Sequence, residues 1–127
     1  MTTGLTYDSG ALIAAEGNDR LLWSLHRAAV ARGMAPNVPA GVLAQAWRGG
    51  PQPRLSQLLK GCTVEELDET KARAVGSLVA RCGVEDIVDV AVAEAAVRRD
   101  DAVVTSNRAD IEQVVSSIGR HVAIHDV

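Results

Sequence analysis

Residues 85–107, EDIVDVAVAEAAVRRDDAVVTSN, contain the two elements that decide the fold. The first part, 85–99, is apolar on almost every side of a helical wheel, which predicts a helix buried on most of its faces. The second part, 102–105, is a short apolar run of the kind found in fully covered strands, and it ends at Ser106-Asn107. A buried helix next to a buried strand is typical of a parallel sheet covered by helices.

The rest of the chain alternates in the same way between short β-prone runs and helical segments. Further strands are predicted at 5–7, around Val38-Pro39, at 62–64 and, half-exposed, at 121–125. Helices are predicted at 11–15, from Asn18 or Asp19 to Gly33, at 41–48, at 55–60, from a cap at Thr70 to Arg81, and at 109–118. The predicted fold class is α/β, a single three-layer domain over residues 1–127 with a mostly parallel sheet flanked by helices.

The composition fits one globular domain and limits the partners that the chain can recognise. Its 127 residues are 47% hydrophobic and 23% charged, which argues against disorder. Two Trp, one Tyr and no Phe are too few for a surface that stacks rows of nucleobases.

The net charge of −3 is distributed unevenly along the chain. Lys and Arg are in excess in residues 1–60, and Asp and Glu are in excess in residues 61–127. This imbalance forms either two solvated faces or a basic shelf beside an acidic site. The shelf would contain Arg20, Arg27, Arg48 and Arg54.

Several other classes of protein are disfavoured by the sequence. No apolar run has the roughly 20 residues that span a bilayer, and residues 1–20 do not resemble a signal peptide, so we expect a cytoplasmic protein that does not bind membranes. Cys62 and Cys82 form neither a CxxC pair nor a disulfide framework and are expected to be buried thiols. Glycine-rich nucleotide-binding loops are absent from the sequence.

Two further candidate sites lack required residues. His121 and His125 are four residues apart on a predicted strand, and no third zinc ligand accompanies them. A phosphoacceptor receiver domain has a similar length and pattern, but it needs a Lys after a late strand. The two lysines of this chain, Lys60 and Lys71, lie in the middle of the sequence.

Three aspartates form the most informative polar pattern. Asp89 lies inside the apolar 85–99 helix, where an unpaired carboxylate costs several kcal/mol and needs a partner. Asp86 precedes it by about one turn, and Asp8 follows the first strand. Each also has a structural explanation: Asp86 as an acid at a helix start, Asp89 in an ion pair with an Arg, and Asp8 as an N-cap. Together they form an all-oxygen site suited to Mg²⁺ or Mn²⁺.

Four sequence blocks, in order and at matching spacing over nearly the whole chain, resemble the PIN-domain family of ribonucleases, and in particular the VapC-type toxins of bacterial toxin–antitoxin modules. The blocks are YDSGALI at 7–13, VPA at 38–40 with VLAQAWR at 42–48, DIVDVAVA at 86–93, and VVTSN at 103–107. The resemblance implies a parallel sheet with helices on both faces, an acidic pocket, an antitoxin partner, dimers and single-stranded RNA as substrate.

The resemblance also assigns roles to residues. Asp8 and Asp89 match the family's first acid and its helix acid, and would bind the cation directly. Asp86 matches an accessory acid that would act through water or as an acid behind the direct ligands. Gln45 stands where the family usually has Glu, and Asn107 where it often has Asp, so both would serve as neutral outer ligands.

Three remaining residues of these blocks have a functional and a structural interpretation. Thr105 or Ser106 could hydrogen-bond a carboxylate or a phosphate, or could stabilise the turn that follows the strand. Arg48 could contact the RNA backbone, or could be an exposed helix end.

The predicted function is a metal-dependent endoribonuclease of the VapC toxin type, weakened by the two amide-for-acid replacements. A divalent cation assists phosphodiester hydrolysis by lowering the pKa of water and by offsetting charge on the phosphorus. The alternative is a catalytically inactive PIN-fold protein that binds an antitoxin, RNA or another protein. A homodimer is also expected, because the large apolar residues exceed what one small sheet needs. These residues are Leu12, Leu21, Leu22, Trp23, Leu43 and Trp47.

Overall fold

Five short strands form one parallel sheet in the computed structural model, which describes residues 3–127. The strands are β1 (Leu5–Tyr7), β2 (Asn37–Pro39), β3 (Thr63–Glu65), β4 (Ala102–Thr105) and β5 (Ile124–Asp126). The helices are α1 (Ser9–Glu16), α2 (Arg20–Ala31), α3 (Ala40–Ala46), α4 (Pro53–Leu59), α5 (Glu69–Cys82), α6 (Ile87–Arg99) and α7 (Arg108–Ser117). The predicted α/β class with a parallel, helix-flanked sheet is therefore confirmed.

The order of the strands determines where a ligand can bind. Across the sheet the order is β3-β2-β1-β4-β5. The chain runs outward from β1 to β3 and then returns to the other side of β1 with β4. The β1–β4 pair is thus the point at which the strand order reverses, and in such sheets ligands bind at the carboxyl ends of the strands beside this point. Tyr7 pairs with Val104 here in parallel register.

Helix packing brings two helix starts to this same edge. Helix α6 contacts β1, β2 and β4, and small, fully buried residues such as Ala93 and Ala96 allow the close approach. Helix α1 contacts β1 and β4. A side chain at Gly10 would collide with Ser106, so this glycine lets the start of α1 lie against the end of β4.

Two predicted boundaries are wrong for clear physical reasons. Helix α5 begins at Glu69, because the Asp68 carboxylate caps it by accepting from the Lys71 N–H at 2.9 Å; Thr70 lies inside the first turn and does not cap it. The last strand is Ile124–Asp126 rather than 121–125, because the register pairs Ile124 with Val103. His121 lies in the exposed connection before it.

Strands β1 and β4 have the predicted bounds, and the remaining predicted elements are present with shifted ends. Helix α3 ends at Ala46 and not at residue 48, because Trp47 adopts an extended backbone conformation. Helix α1 is longer than predicted and covers Ser9–Glu16. Cys82 is buried, as expected, whereas Cys62 is only half-buried and contacts the Leu58 carbonyl through Sγ.

The large apolar residues divide between the core and the surface. Leu12, Leu22 and Trp23 belong to the core and add little to the outer surface, contrary to the expectation that they form part of an apolar face. Leu21 and Trp47 are exposed, at 50% and 42%. None of the helices in residues 3–127 is both long and apolar enough to cross a membrane.

Candidate functional site

A polar pocket of about 410 Å³ lies at the carboxyl ends of β1 and β4. Its lining includes every residue that the sequence predicts for the site except Thr105. The lining residues are Asp8, Ser9, Ile13, Gln45, Arg48, Asp86, Asp89, Ser106 and Asn107. Three helix starts, two strand ends and the end of α3 therefore supply side chains to one pocket, although the residues are up to 99 positions apart in the chain.

Asp8 links the end of β1 to the start of α1. It is 2% exposed, and its Oδ1 accepts a hydrogen bond from the Ser9 N–H at 2.6 Å. Its Oδ2 accepts from the Thr105 hydroxyl at 2.5 Å. Asp8 is thus the N-cap of α1, as the structural interpretation proposed, and it also lines the pocket. The two interpretations do not exclude each other.

Asp86 and Asp89 occupy the start of α6. The exposed Asp86 is the N-cap, and its Oδ1 accepts from the N–H groups of Val88 and Asp89 at 2.9 and 3.2 Å. Asp89 lies in the first turn, is 7% exposed, and accepts from the side-chain amide of Asn107 at 3.2 Å. The predicted alternative of an ion pair between Asp89 and an Arg is wrong for residues 3–127.

The electrostatics of the pocket are those of crowded carboxylates. Burial, a hydrogen bond shared with Asp110, and repulsion from Asp8, Asp86 and Asp110 together raise the pKa of Asp89 to about 7. Within the described part of the chain, no Lys, Arg or His forms an ion pair with Asp8, Asp86 or Asp89. The negative charge of this cluster is therefore not neutralised by a protein cation.

Asp110 is a member of the cluster that sequence reasoning missed. The Asn107 Nδ2 donates to Asp110 at 3.0 Å as well as to Asp89, so the amide nitrogen bridges the two acids. Asn107 therefore presents its amide nitrogen to the two acids. A signal was present, because Asp110 follows Asn107 by one helical turn, but acids in a first turn are common for reasons of helix stability.

Thr105 combines the two roles considered for it. It is fully buried behind the pocket, donates from Oγ1 to Asp8, and accepts from the Asn107 N–H at 2.8 Å. The hydroxyl thus both stabilises the turn after β4 and orients the Asp8 carboxylate. Ser106 is exposed and lines the pocket beside Gly10.

Gln45 and Arg48 form the side of the pocket nearest α3. Gln45 is half-buried. Arg48 is exposed, and its guanidinium donates to the carbonyls of Trp47 at 2.8 Å and Ala44 at 3.4 Å. Of the four arginines in the predicted basic shelf, Arg48 alone lines this pocket, so the shelf does not lie beside the acids as one group.

The residues present fit a hard divalent cation held by few protein ligands. The polar side chains of the pocket supply oxygen donors and no thiol or imidazole, which is the ligand chemistry of Mg²⁺ and Mn²⁺. No group of three His, Cys, Asp or Glu side chains within residues 3–127 is arranged to hold a metal ion. Mg²⁺ is commonly bound through one or two carboxylates, with water and substrate phosphate completing its shell.

Comparisons with known proteins show the fold. No protein-family model matches the sequence, and no curated protein is significantly similar to it. The chain is similar to a structure described as VapBC2 from Rickettsia felis bound to a DNA fragment from their promoter, with a TM-score of 0.71 and 12% identity over 97% of this chain and 98% of that one. It is also similar to PAE2754 from Pyrobaculum aerophilum, with a TM-score of 0.65 and 17% identity over 98% and 84% of the two chains. Both likenesses extend over nearly the whole of this chain, and the chain has the PIN-like fold.

Proposed function

We propose that this chain is a metal-dependent endoribonuclease of the VapC toxin type that cleaves single-stranded RNA in the cytoplasm. One observation carries the proposal: Asp8, Asp86 and Asp89 line a single pocket at the point where the strand order of a PIN-like sheet reverses. The likeness to VapBC2 supports the same functional class.

In this proposal Asp8 and Asp89 hold Mg²⁺ or Mn²⁺, and Asp86 acts through water. Bound in this pocket, the cation would supply Lewis acidity for hydrolysis of a phosphodiester. The protein's own contribution is to fix the carboxylates: Thr105 orients Asp8 by a hydrogen bond, and Asp86 is held by the backbone at the start of α6. These hydrogen bonds fix the carboxylate oxygens of Asp8 and Asp86 before a ligand binds.

Arg48 is proposed to contact the RNA backbone at the mouth of the pocket. Its guanidinium is exposed and donates to two backbone carbonyls near the end of α3. Among residues 3–127 no carboxylate forms an ion pair with it. A phosphate that entered the pocket would bring its negative charge toward the acids, and a cation at the rim would offset part of that repulsion.

The two amides at the site are expected to weaken the activity. Gln45 and Asn107 line the pocket without adding charge, so a single divalent cation is held and a second is bound poorly. We therefore expect cleavage to require a high cation concentration, and Mn²⁺ to be preferred over Mg²⁺ because it binds nitrogen and oxygen ligands more tightly.

An antitoxin protein is the proposed macromolecular partner. This part of the proposal rests on the resemblance of the sequence blocks and on the fold of VapBC2. Co-expression of this chain with a candidate antitoxin, followed by co-purification, tests it separately from catalysis.

The catalytic proposal is tested by incubating the protein with single-stranded RNA in Mn²⁺, Mg²⁺ or a chelator. We expect cleavage with the cations and none with the chelator. Asp8→Asn and Asp89→Asn should abolish cleavage, since each removes a carboxylate of the cation site. Asp19→Asn is the matched control, because Asp19 also caps a helix but lies outside the pocket. Cleavage by Asp8→Asn at the rate of the unaltered protein would show that the pocket is not the active site.

A further inference from the structure

A second cavity, of about 520 Å³, lies between α2 and the end of α4 and shares no residue with the acidic pocket. Its lining residues are Trp23, His26, Arg27, Val30, Ala31, Gln57, Lys60 and Gly61. The lining contains two cations and one imidazole and no carboxylate. Neither Arg27 nor Lys60 forms an ion pair within residues 3–127.

His26 is the buried polar group of this cavity, with 5% exposure. Its Nδ1 lies 2.9 Å from the Tyr7 hydroxyl. The Trp23 ring packs against the imidazole with the two ring planes nearly perpendicular. Burial raises the pKa of Tyr7 far above its usual value, so the hydroxyl keeps its proton. Within residues 3–127 the one hydrogen-bond partner of this hydroxyl is Nδ1, so Nδ1 accepts its proton and the imidazole proton lies on Nε2.

The Nε2 edge of the ring faces Gly61, another lining residue of the cavity. A Cβ placed on Gly61 would lie 3.1 Å from Nε2, and glycine thus leaves this edge uncovered. No hydrogen-bond acceptor contacts Nε2 in the part of the chain that the structure describes. The cavity therefore combines an N–H donor that is held in place with the cationic side chains of Arg27 and Lys60.

We infer that this cavity binds a phosphate group, with the His26 Nε2–H, Arg27 and Lys60 as its ligands. A compact anion matches a lining that has three hydrogen-bond donor side chains and no carboxylate. Charge-assisted hydrogen bonds are the strong contacts for such a group. Arg27 lies over the Trp23 ring, with its guanidinium carbon 5.4 Å from the ring centre, which keeps the cation at the cavity. The inference does not depend on the ribonuclease proposal.

The test is an NMR titration of the full chain at constant ionic strength with inorganic phosphate, a nucleoside 5′-monophosphate and the nucleoside without phosphate. We expect both phosphates to shift the His26 ring and Gly61 amide signals in a saturable way, and the nucleoside to shift neither. Their relative affinities distinguish free phosphate from a nucleotide as the ligand. Binding of the nucleoside alone, or no saturable shift with either phosphate, would overturn the inference.

Variants distinguish specific binding in the cavity from non-specific attraction of phosphate to a positive charge. Arg27→Gln and Lys60→Gln should each weaken phosphate binding about tenfold. Gly61→Ala should also weaken it, because the added methyl covers Nε2 without changing charge. Arg32→Gln is the matched control, since Arg32 is exposed at the end of the same helix and outside the cavity. The same spectra show whether each variant is folded. Equal affinities for the control, the two charge variants and the unaltered protein would contradict the inference.

Discussion

The Thr105 hydroxyl connects the ends of two strands to the acidic pocket by two hydrogen bonds, one to Asp8 and one from the Asn107 N–H. Thr105→Val keeps the shape and removes both bonds, leaving buried polar groups unpaired. We expect a loss of about 1–3 kcal/mol in the free energy of unfolding, measured with urea, together with reduced RNA cleavage.

A variant at Thr6, on the neighbouring strand β1, distinguishes a loss of stability from a loss of RNA cleavage. Thr6 is also fully buried and donates to Asp101 at 2.8 Å, away from the pocket. Thr6→Val should cost similar stability and leave cleavage at the level of the unaltered protein, whereas Thr105→Ser should preserve both properties. Equal losses of cleavage in the two valine variants would show that Thr105 acts only through stability.

The raised pKa of Asp89 gives the metal-free protein a distinctive dependence of stability on pH. Because the pKa is about 7 in the folded state and near 3.8 when unfolded, the folded protein binds more protons between these values. The contribution of Asp89 to stability therefore falls as pH rises through this window. His26 acts in the opposite direction, because burial and the nearby Arg27 lower its pKa.

Comparison with Asp89→Asn isolates the effect of this one carboxyl group. The free energy of unfolding is measured with urea, in the presence of a chelator, from about pH 5 to 8. The value for the variant minus the value for the unaltered protein should increase with pH. A difference that stays constant over this range would contradict the raised pKa.

For single residues, the α/β pattern was sufficient to predict that Asp8, Asp86 and Asp89 lie together, because strand ends and helix starts meet at one edge of the sheet. Their roles in metal binding and catalysis stay predictions. The pattern was not sufficient for Asp110, since an acid in a first turn is ordinary. The Tyr7–His26 contact was also missed, because two residues 19 positions apart on a strand and a helix leave no periodic signal.

At the scale of elements, helix α5 provides a test of which residue determines a helix start. Asp68→Ala removes the side chain that caps the first turn and should lower the thermal unfolding midpoint by a few degrees. Thr70→Ala, in the exposed first turn, should leave the midpoint unchanged. The reverse result would restore Thr70 as the cap.

Apolar periodicity located all five strands and the helices between them, and it was least informative at their ends. Ser, Thr, Asp and Asn all cap helices, so the sequence around 68–70 offers more than one start, and only the backbone geometry selects Asp68. The last strand was misplaced because its position depends on the register with β4, a long-range pairing that local alternation cannot specify.

At the scale of the whole molecule, a homodimer remains a prediction. Trp47 and Leu43 line a shallow apolar groove of about 370 Å³, and Trp47 is 42% exposed. Light scattering at roughly tens of micromolar protein should give twice the mass of 13.4 kDa, since such apolar surface is typically covered in an assembly. Trp47→Glu should give the single-chain mass. Val64→Glu, at a similarly exposed apolar residue on β3, serves as the control. A monomer in the unaltered protein would contradict the prediction.

The proposed function requires that the acidic pocket holds one divalent cation, and calorimetric titration of the protein with Mn²⁺ measures this binding. We expect one ion per chain, tighter binding in Asn107→Asp because a carboxylate is added beside Asp89, and little or no binding in Asp8→Asn. Asp19→Asn should bind as the unaltered protein does. Unchanged Mn²⁺ binding in Asp8→Asn, or no binding in the unaltered protein, would contradict the proposed function.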